Sequence, residues 1–188
     1  MKARRGFPDG FLWGTATAAF QVEMGRGPVD NRSDWFMWVH DPTNVERGLV
    51  SGDLPENGPG FWELYRMDLK LARDTLGNNA VRLGLEWSRL FPEPTMSVPA
   101  RVVRDKEGNI SRVDISKDSM EMLHETAERT AVERYREILA EARRLGMTVL
   151  LTLYHWPLPL WLHDPIACRD KVQYAERRGW LEPSTIVE

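Results

Sequence analysis

A single cysteine, Cys168, stands among the 188 residues, so no disulfide can form within the chain and the composition fits a reducing compartment. No run approaches the roughly 18 uninterrupted apolar residues of a membrane span. An excess of positive charge is missing too. The 25 Lys and Arg face 28 Asp and Glu, a net charge of -3 that leaves no footprint for nucleic acid. The first five residues are basic, but Gly6-Phe7-Pro8-Asp9-Gly10 follows where a signal peptide needs an apolar stretch, so a cytoplasmic location is the expectation. No internal repeat or low-complexity tract interrupts the chain. The dinucleotide fingerprint is absent, since Gly14-Thr15-Ala16-Thr17-Ala18 follows the first apolar stretch in place of Gly-x-Gly-x-x-Gly. His40-Asp41-Pro42 and His163-Asp164-Pro165 lack a third ligand at a suitable spacing. With Asp-Pro a strong turn-former, both read as turns rather than metal sites. No metal and no cofactor are expected.

What the chain does have is tryptophan, 8 in all, and 12 prolines gathered in connecting segments such as residues 54–60. Indole rings can stack on the C–H faces of sugars or simply fill a core. Residues 11–15 read as a short apolar strand. A long polar loop over 25–60 follows, then a helix from about 61 to 76 with Phe61, Leu64, Tyr65, Leu69 and Ala72 on one face. Gly77 and the two asparagines after it end that helix. Residues 80–86 form a second strand. Residues 93–119 carry prolines and charges without a clear period and look like an insertion. A second helix spans about 130–145, closed by Gly146. Residues 148–154 make a third strand, apolar along its length as a strand covered on both faces should be.

The alternation of strand and helix predicts a parallel α/β fold, and the missing glycine fingerprint favours part of a (β/α)8 barrel over an open sheet. A full barrel needs roughly 250 residues. The third strand already ends near 154, so residues 1–188 would form one incomplete barrel domain of about three β/α units.

Functional side chains of parallel barrels sit at the C-terminal ends of strands. That draws attention to Gln21 and Glu23, to Arg82, Glu86, Trp87 and Arg89, and to His155 and Trp156. Strand alternation points Arg82 and Glu86 to one side and Val81, Leu83 and Leu85 to the other. If the leucines face the helices, Arg82 faces the barrel interior and needs an anion there. Either Glu86 or a catalytic carboxylate would serve. His155-Trp156 pairs a hydrogen-bonding group with a flat ring, which suits sugar recognition. A capping histidine beside a core indole is the other reading.

Residues 7–23, from Phe7-Pro8-Asp9-Gly10-Phe11-Leu12-Trp13-Gly14 to Phe20-Gln21-Val22-Glu23, resemble the N-terminal signature of family 1 glycoside hydrolases. Arg82-Leu83-Gly84-Leu85-Glu86-Trp87-Ser88-Arg89 resembles the family's second-strand motif, and residues 153–162 its third-strand motif. Residues 51–60 and 161–165 are similar to the β-glycosidases of hyperthermophilic archaea in particular. The likeness covers nearly the whole chain, with the motifs in order. It implies a barrel enzyme that hydrolyses β-linked glucosides or galactosides with retention, on oligosaccharide or aryl and alkyl glycoside substrates, as a homo-oligomer. It assigns Gln21, His155 and Trp156 to the sugar at the non-reducing end, and Arg82 to pairing with the nucleophilic glutamate. A guanidinium there would keep the nucleophile ionised.

One departure is plain. The family's acid/base glutamate lies in an Asn-Glu-Pro motif after strand four and its nucleophile in a Thr-Glu-Asn-Gly-type motif after strand seven, and neither motif occurs. Glu23, Glu86 and Glu182 do not replace them by motif. Retention needs two carboxyls about 5–5.5 Å apart. The chain thus reads as an N-terminal fragment of a β-glycosidase, inactive alone, whose third strand would need a complementary half-barrel at its edge. The alternative is a non-catalytic sugar-binding or regulatory remnant.

Overall fold

The structure, a computed structural model, describes residues 6–186. Its centre is a three-stranded parallel sheet of β1 (Gly14–Ala16), β2 (Ala80–Gly84) and β5 (Thr148–Thr152), in that order. Gly14 pairs with Ala80 and Ala80 with Thr148, and the register continues through Ala16, Arg82 and Leu150. Gly14 permits the close pairing: a Cβ on it would stand 2.6 Å from the Ala80 carbonyl oxygen. Three parallel strands in chain order, each linked through helical segments, form the arc expected of a barrel's first units.

Two amphipathic helices cover one face. From α4 (Phe61–Asp74), Phe61, Trp62, Tyr65, Leu69 and Ala72 turn inward. From α7 (Arg129–Arg144), Ala131, Tyr135, Ile138 and Ala142 do the same, and between the two helices lie Val81 and Leu83 of β2. The leucine side of β2 therefore faces the helices, which is the arrangement that turns Arg82 to the opposite face. Gly77 and Gly146 follow the two helices at φ of 72° and 69°, the left-handed conformation that lets the chain turn back toward the sheet. The other face, carrying Ala16, Arg82 and Leu150, is open and leaves Leu150 exposed; Leu151, which pairs with Leu83 on the helix side, and Leu153 beyond the strand are exposed as well. Among the described residues β5 pairs only with β2, so its far edge is free.

Several expectations need correction. The first strand begins at Gly14 rather than residue 11, because the rings of Phe11 and Trp13 pack with Phe7 in an exposed aromatic cluster beside the sheet. The polar loop over 25–60 holds two helices, α2 (Asp34–His40) and α3 (Pro42–Glu46), besides a 3-10 turn at Pro55–Asn57. Both His-Asp-Pro runs are helix starts, not free turns. Asp41 caps α3 and Asp164 caps α8 (Pro165–Lys171), each accepting backbone N–H groups ahead of a first-turn proline. Short helix α1 (Ala19–Val22) follows β1, and α5 (Trp87–Leu90) follows β2. The segment over 93–119 contains the antiparallel hairpin β3 (Arg101–Arg104) and β4 (Ile110–Asp114), followed by α6 (Lys117–Thr126). The end of the chain forms 3-10 turns, Gly179–Leu181 and Pro183–Ile186; Val187 and Glu188 lie outside the described residues.

Candidate functional site at the strand ends

The C-terminal ends of the three strands lie side by side, and the segments leaving them are tied together. Thr17 N–H donates to the Arg82 carbonyl and Leu85 N–H to the Thr152 carbonyl, so each segment leaves in register with its neighbour. The chain after β5 is pinned to the start of α2. Asp34 N–H donates to the Leu158 carbonyl, while the Asp34 carboxylate accepts Leu158 N–H at 2.9 Å and holds His163 Nδ1 at 2.7 Å. This lashing brings Trp35 against Trp156, with ring centroids 6.3 Å apart, and Phe20 of α1 meets Trp35 edge-on at 5.5 Å. An aromatic run thus crosses from the end of β1 to the end of β5.

His155 and Trp156 stand on that run with their rings nearly parallel, 5° apart in plane and 5.4 Å between centroids. Trp156 is 65% exposed, and its φ of 85° is the only positive φ of a non-glycine among the described residues. A bulky residue in that region carries backbone strain of about 1–3 kcal/mol, held in place by its surroundings. Tyr154 Oη donates to the Trp156 carbonyl at 2.9 Å and helps to hold the turn. Gln21 is exposed on α1, one residue from Phe20. The side chains of Gln21, His155 and Trp156 make no hydrogen bond to other described residues. Arg82 lies lower, in the middle of β2 opposite Leu150. Its Nε is buried without a hydrogen-bond partner, and its guanidinium pairs with no carboxylate among the described residues.

Glu86, the candidate partner of Arg82 from strand alternation, is committed elsewhere. The strand ends at Gly84, so alternation no longer governs residue 86, and its carboxyl turns to accept Phe20 N–H at 2.9 Å. Around it lies a buried polar cluster. Glu86 N–H donates to Tyr135 Oη at 2.9 Å, Tyr135 Oη donates to Glu23 Oε2 at 3.2 Å, and Arg89 Nε pairs with Glu23 Oε2 at 2.8 Å. Arg89 also donates twice to the Pro28 carbonyl and lies 4.4 Å over the Trp62 ring. Ser88 Oγ donates to Asp30 Oδ2 at 2.6 Å. Three buried acids share one buried guanidinium. Burial, with the charges of Glu23 and Asp30, raises the Glu86 carboxyl to about 9. Burial raises Glu23 to about 7, against the pull of Arg89. Tyr135 is pushed up by burial and by Glu23.

The sequence missed Phe20 and Trp35 as parts of this wall. The signal for Trp35 was present: Ser33 before an aromatic run is N-cap chemistry, and its side chain accepts the Trp35 N–H. A cavity of about 570 Å³ between α2 and α8 shares only Trp35 with the aromatic run. The candidate site is therefore an open face rather than that cavity.

A parallel sheet with polar and aromatic side chains gathered at its strand ends suits part of a (β/α)8 barrel, and known proteins specify which. Residues 3–101, more than half of the chain, match glycosyl hydrolase family 1. The chain belongs to that family, and its three strands are an N-terminal arc of the family's (β/α)8 barrel. It is 46% identical over 186 residues to the β-galactosidase of Pyrococcus woesei, an alignment that takes in 97% of this chain and 36% of that protein. The β-glycosidase of the hyperthermophile Thermosphaera aggregans superposes with a TM-score of 0.93 at 47% identity, over 96% of this chain and 38% of that one. A β-glucosidase mutant derived from a hyperthermophilic tetrameric structure superposes with a TM-score of 0.91, again at 47% identity, over 96% and 38%. The chain thus spans little more than a third of these relatives.

Proposed function

We propose that this chain forms the sugar-holding wall of a retaining β-glycosidase acting on terminal β-linked glucosides or galactosides. In this reading Gln21 and His155 hydrogen-bond sugar hydroxyls and Trp156 offers its ring to a sugar face. Arg82 meets the nucleophilic carboxylate, which other residues supply. The observation that carries the reading is half-buried Arg82 on the open face of the sheet, whose Nε is buried without a hydrogen-bond partner and whose guanidinium pairs with no carboxylate among the described residues. A partly buried cation without an anion is costly, so an anion belongs opposite it. The residues that supply the two glutamates would also cover the exposed edge of β5, on the same chain or on another, and the assembled enzyme would be a homo-oligomer.

The test is a chromogenic β-glucoside and β-galactoside assay. The 188-residue polypeptide alone should give no turnover above background. Without a nucleophile and a general acid, even the acid–base contribution of about 10²–10⁴ is missing. Joined to or mixed with a polypeptide carrying the Asn-Glu-Pro and Thr-Glu-Asn-Gly motifs, it should hydrolyse both substrates. In that assembly Arg82→Met should lower kcat more than it raises KM. Turnover by the isolated polypeptide that survives Glu23→Gln and Glu86→Gln would contradict the reading.

A further inference from the structure

We propose that Glu86 and Glu23 are positioning residues that clamp α1 from both ends, and so fix where Gln21 and the aromatic wall meet the sugar; the proposal rests on the sugar-holding reading above. Helix α1 is a single turn of four residues, too short to hold its own shape. Its N-cap, Ala18, has no side chain to cap it, and the carboxyl that answers the Phe20 N–H comes from Glu86, 66 residues away. At the other end Glu23 closes the turn, with its N–H donating to the Ala19 carbonyl. The Glu23 side chain is held by Tyr135 Oη and by Arg89. Its own carbonyl accepts Trp62 N–H at the start of α4. Gln21 lies between these two fixed points.

The clamp reaches further than Gln21. Phe20, whose backbone Glu86 holds, presses its ring on Trp35, and Trp35 meets Trp156. One carboxyl therefore sets the amide of Gln21 and the plane of the indole together. Among Glu23, Asp30, Arg89 and Tyr135, the charged and titratable groups that face it, Arg89 is the only cation and is already paired with Glu23. A neutral acid is the form of Glu86 this arrangement favours, and the neutral form still accepts the Phe20 N–H. The amide of glutamine can do the same.

Hydrogen exchange by mass spectrometry on the purified 188-residue chain tests this in any assembly state, with methyl β-D-galactoside as the sugar probe. Glu86→Leu should speed exchange in residues 17–24 by about tenfold or more, with residues 135–142 of α7 changing less than about twofold, the pattern of local opening. Glu86→Gln should restore protection of residues 17–24 to near the parent level. Unchanged exchange at 17–24 in Glu86→Leu would overturn the proposal. So would an equal loss of protection in α7, or a Glu86→Gln variant as loose as Glu86→Leu. The sugar reports separately. Added galactoside should slow exchange at 17–24 and 153–158 in the parent chain; if it does not, the sugar-holding reading fails while the clamp is still judged by the variants without sugar.

Discussion

Two sets of polar side chains occupy the ends of the same strands, and they differ in what satisfies them. Glu23, Glu86, Arg89 and Tyr135 are buried and bonded mainly to one another and to nearby backbone. Gln21, His155 and Trp156 are at least partly exposed, and their side chains are bonded to no described residue. Arg82 joins the second set from inside the sheet: its Nε, like that of Arg89, is buried without a well-aligned hydrogen bond, but unlike Arg89 it pairs with no carboxylate among the described residues. The two sets separate the work. A buried cluster whose members complete one another builds the frame, and polar groups held in place but left uncompleted are what a ligand can complete.

Breaking the closed set should cost the most. Arg89→Leu leaves the Glu23 carboxyl buried without its cation, and unfolding in urea at pH 8 should show a loss of about 3–5 kcal/mol. At pH 5, where Glu23 holds a proton, the loss should shrink. An equal loss at both pH values would mean that the Arg89 contact with the Trp62 ring, and not its charge, carries the stability.

The acidity of the cluster gives the next effect. Glu86 is raised from 4.5 to about 9 and Glu23 from 4.5 to about 7. The folded state thus binds their protons more tightly than the unfolded one. Their contribution to stability is complete below about pH 4.5 and declines as pH rises, by up to about 1.4 kcal/mol per unit for each group. Both groups act between pH 4.5 and 7, and Glu86 alone from 7 to 9. Glu86→Gln should flatten the upper part of this decline. The unfolding midpoint measured from pH 5 to 9 reads it directly, and a parent chain that gains stability from pH 7 to 9 would contradict the assignment.

How far the sequence foretold these two sets follows from the kind of signal each leaves. The helices over 61–74 and 129–144 were legible because apolar residues recur at helical spacing and glycine follows each end. That Val81 and Leu83 point away from Arg82 followed from strand alternation, and the packing of α4 and α7 shows that their side is the helix side. The same rule failed four residues beyond Arg82, because β2 stops at Gly84 and Glu86 is free to turn toward Phe20. Helix α2 was hidden in a polar segment because its half-buried tryptophans, Trp35 and Trp38, face His163, Pro165 and Cys168 across a cavity that only the tertiary fold creates. The hairpin over 101–114 left little trace because each strand is short and at least half of its residues are charged or polar. Family motifs marked Gln21, Arg82, His155 and Trp156, but no local pattern could place Phe20 and Trp35 between them. Those contacts join residues 15 and 121 positions apart.

Trp156 allows the comparison to be tested in one variant, because there the frame and the recognising surface pull in opposite directions. Its φ of 85° suits glycine, and its ring is mostly exposed. Trp156→Gly should therefore raise the stability of the chain by about 1 kcal/mol through relief of backbone strain, measured as a higher unfolding midpoint in urea. The same variant should lose the protection that methyl β-D-galactoside gives to residues 17–24 and 153–158. A Trp156→Gly chain that is less stable than its parent, or that still binds the galactoside, would contradict the claim that this residue is held under strain for the sake of the sugar.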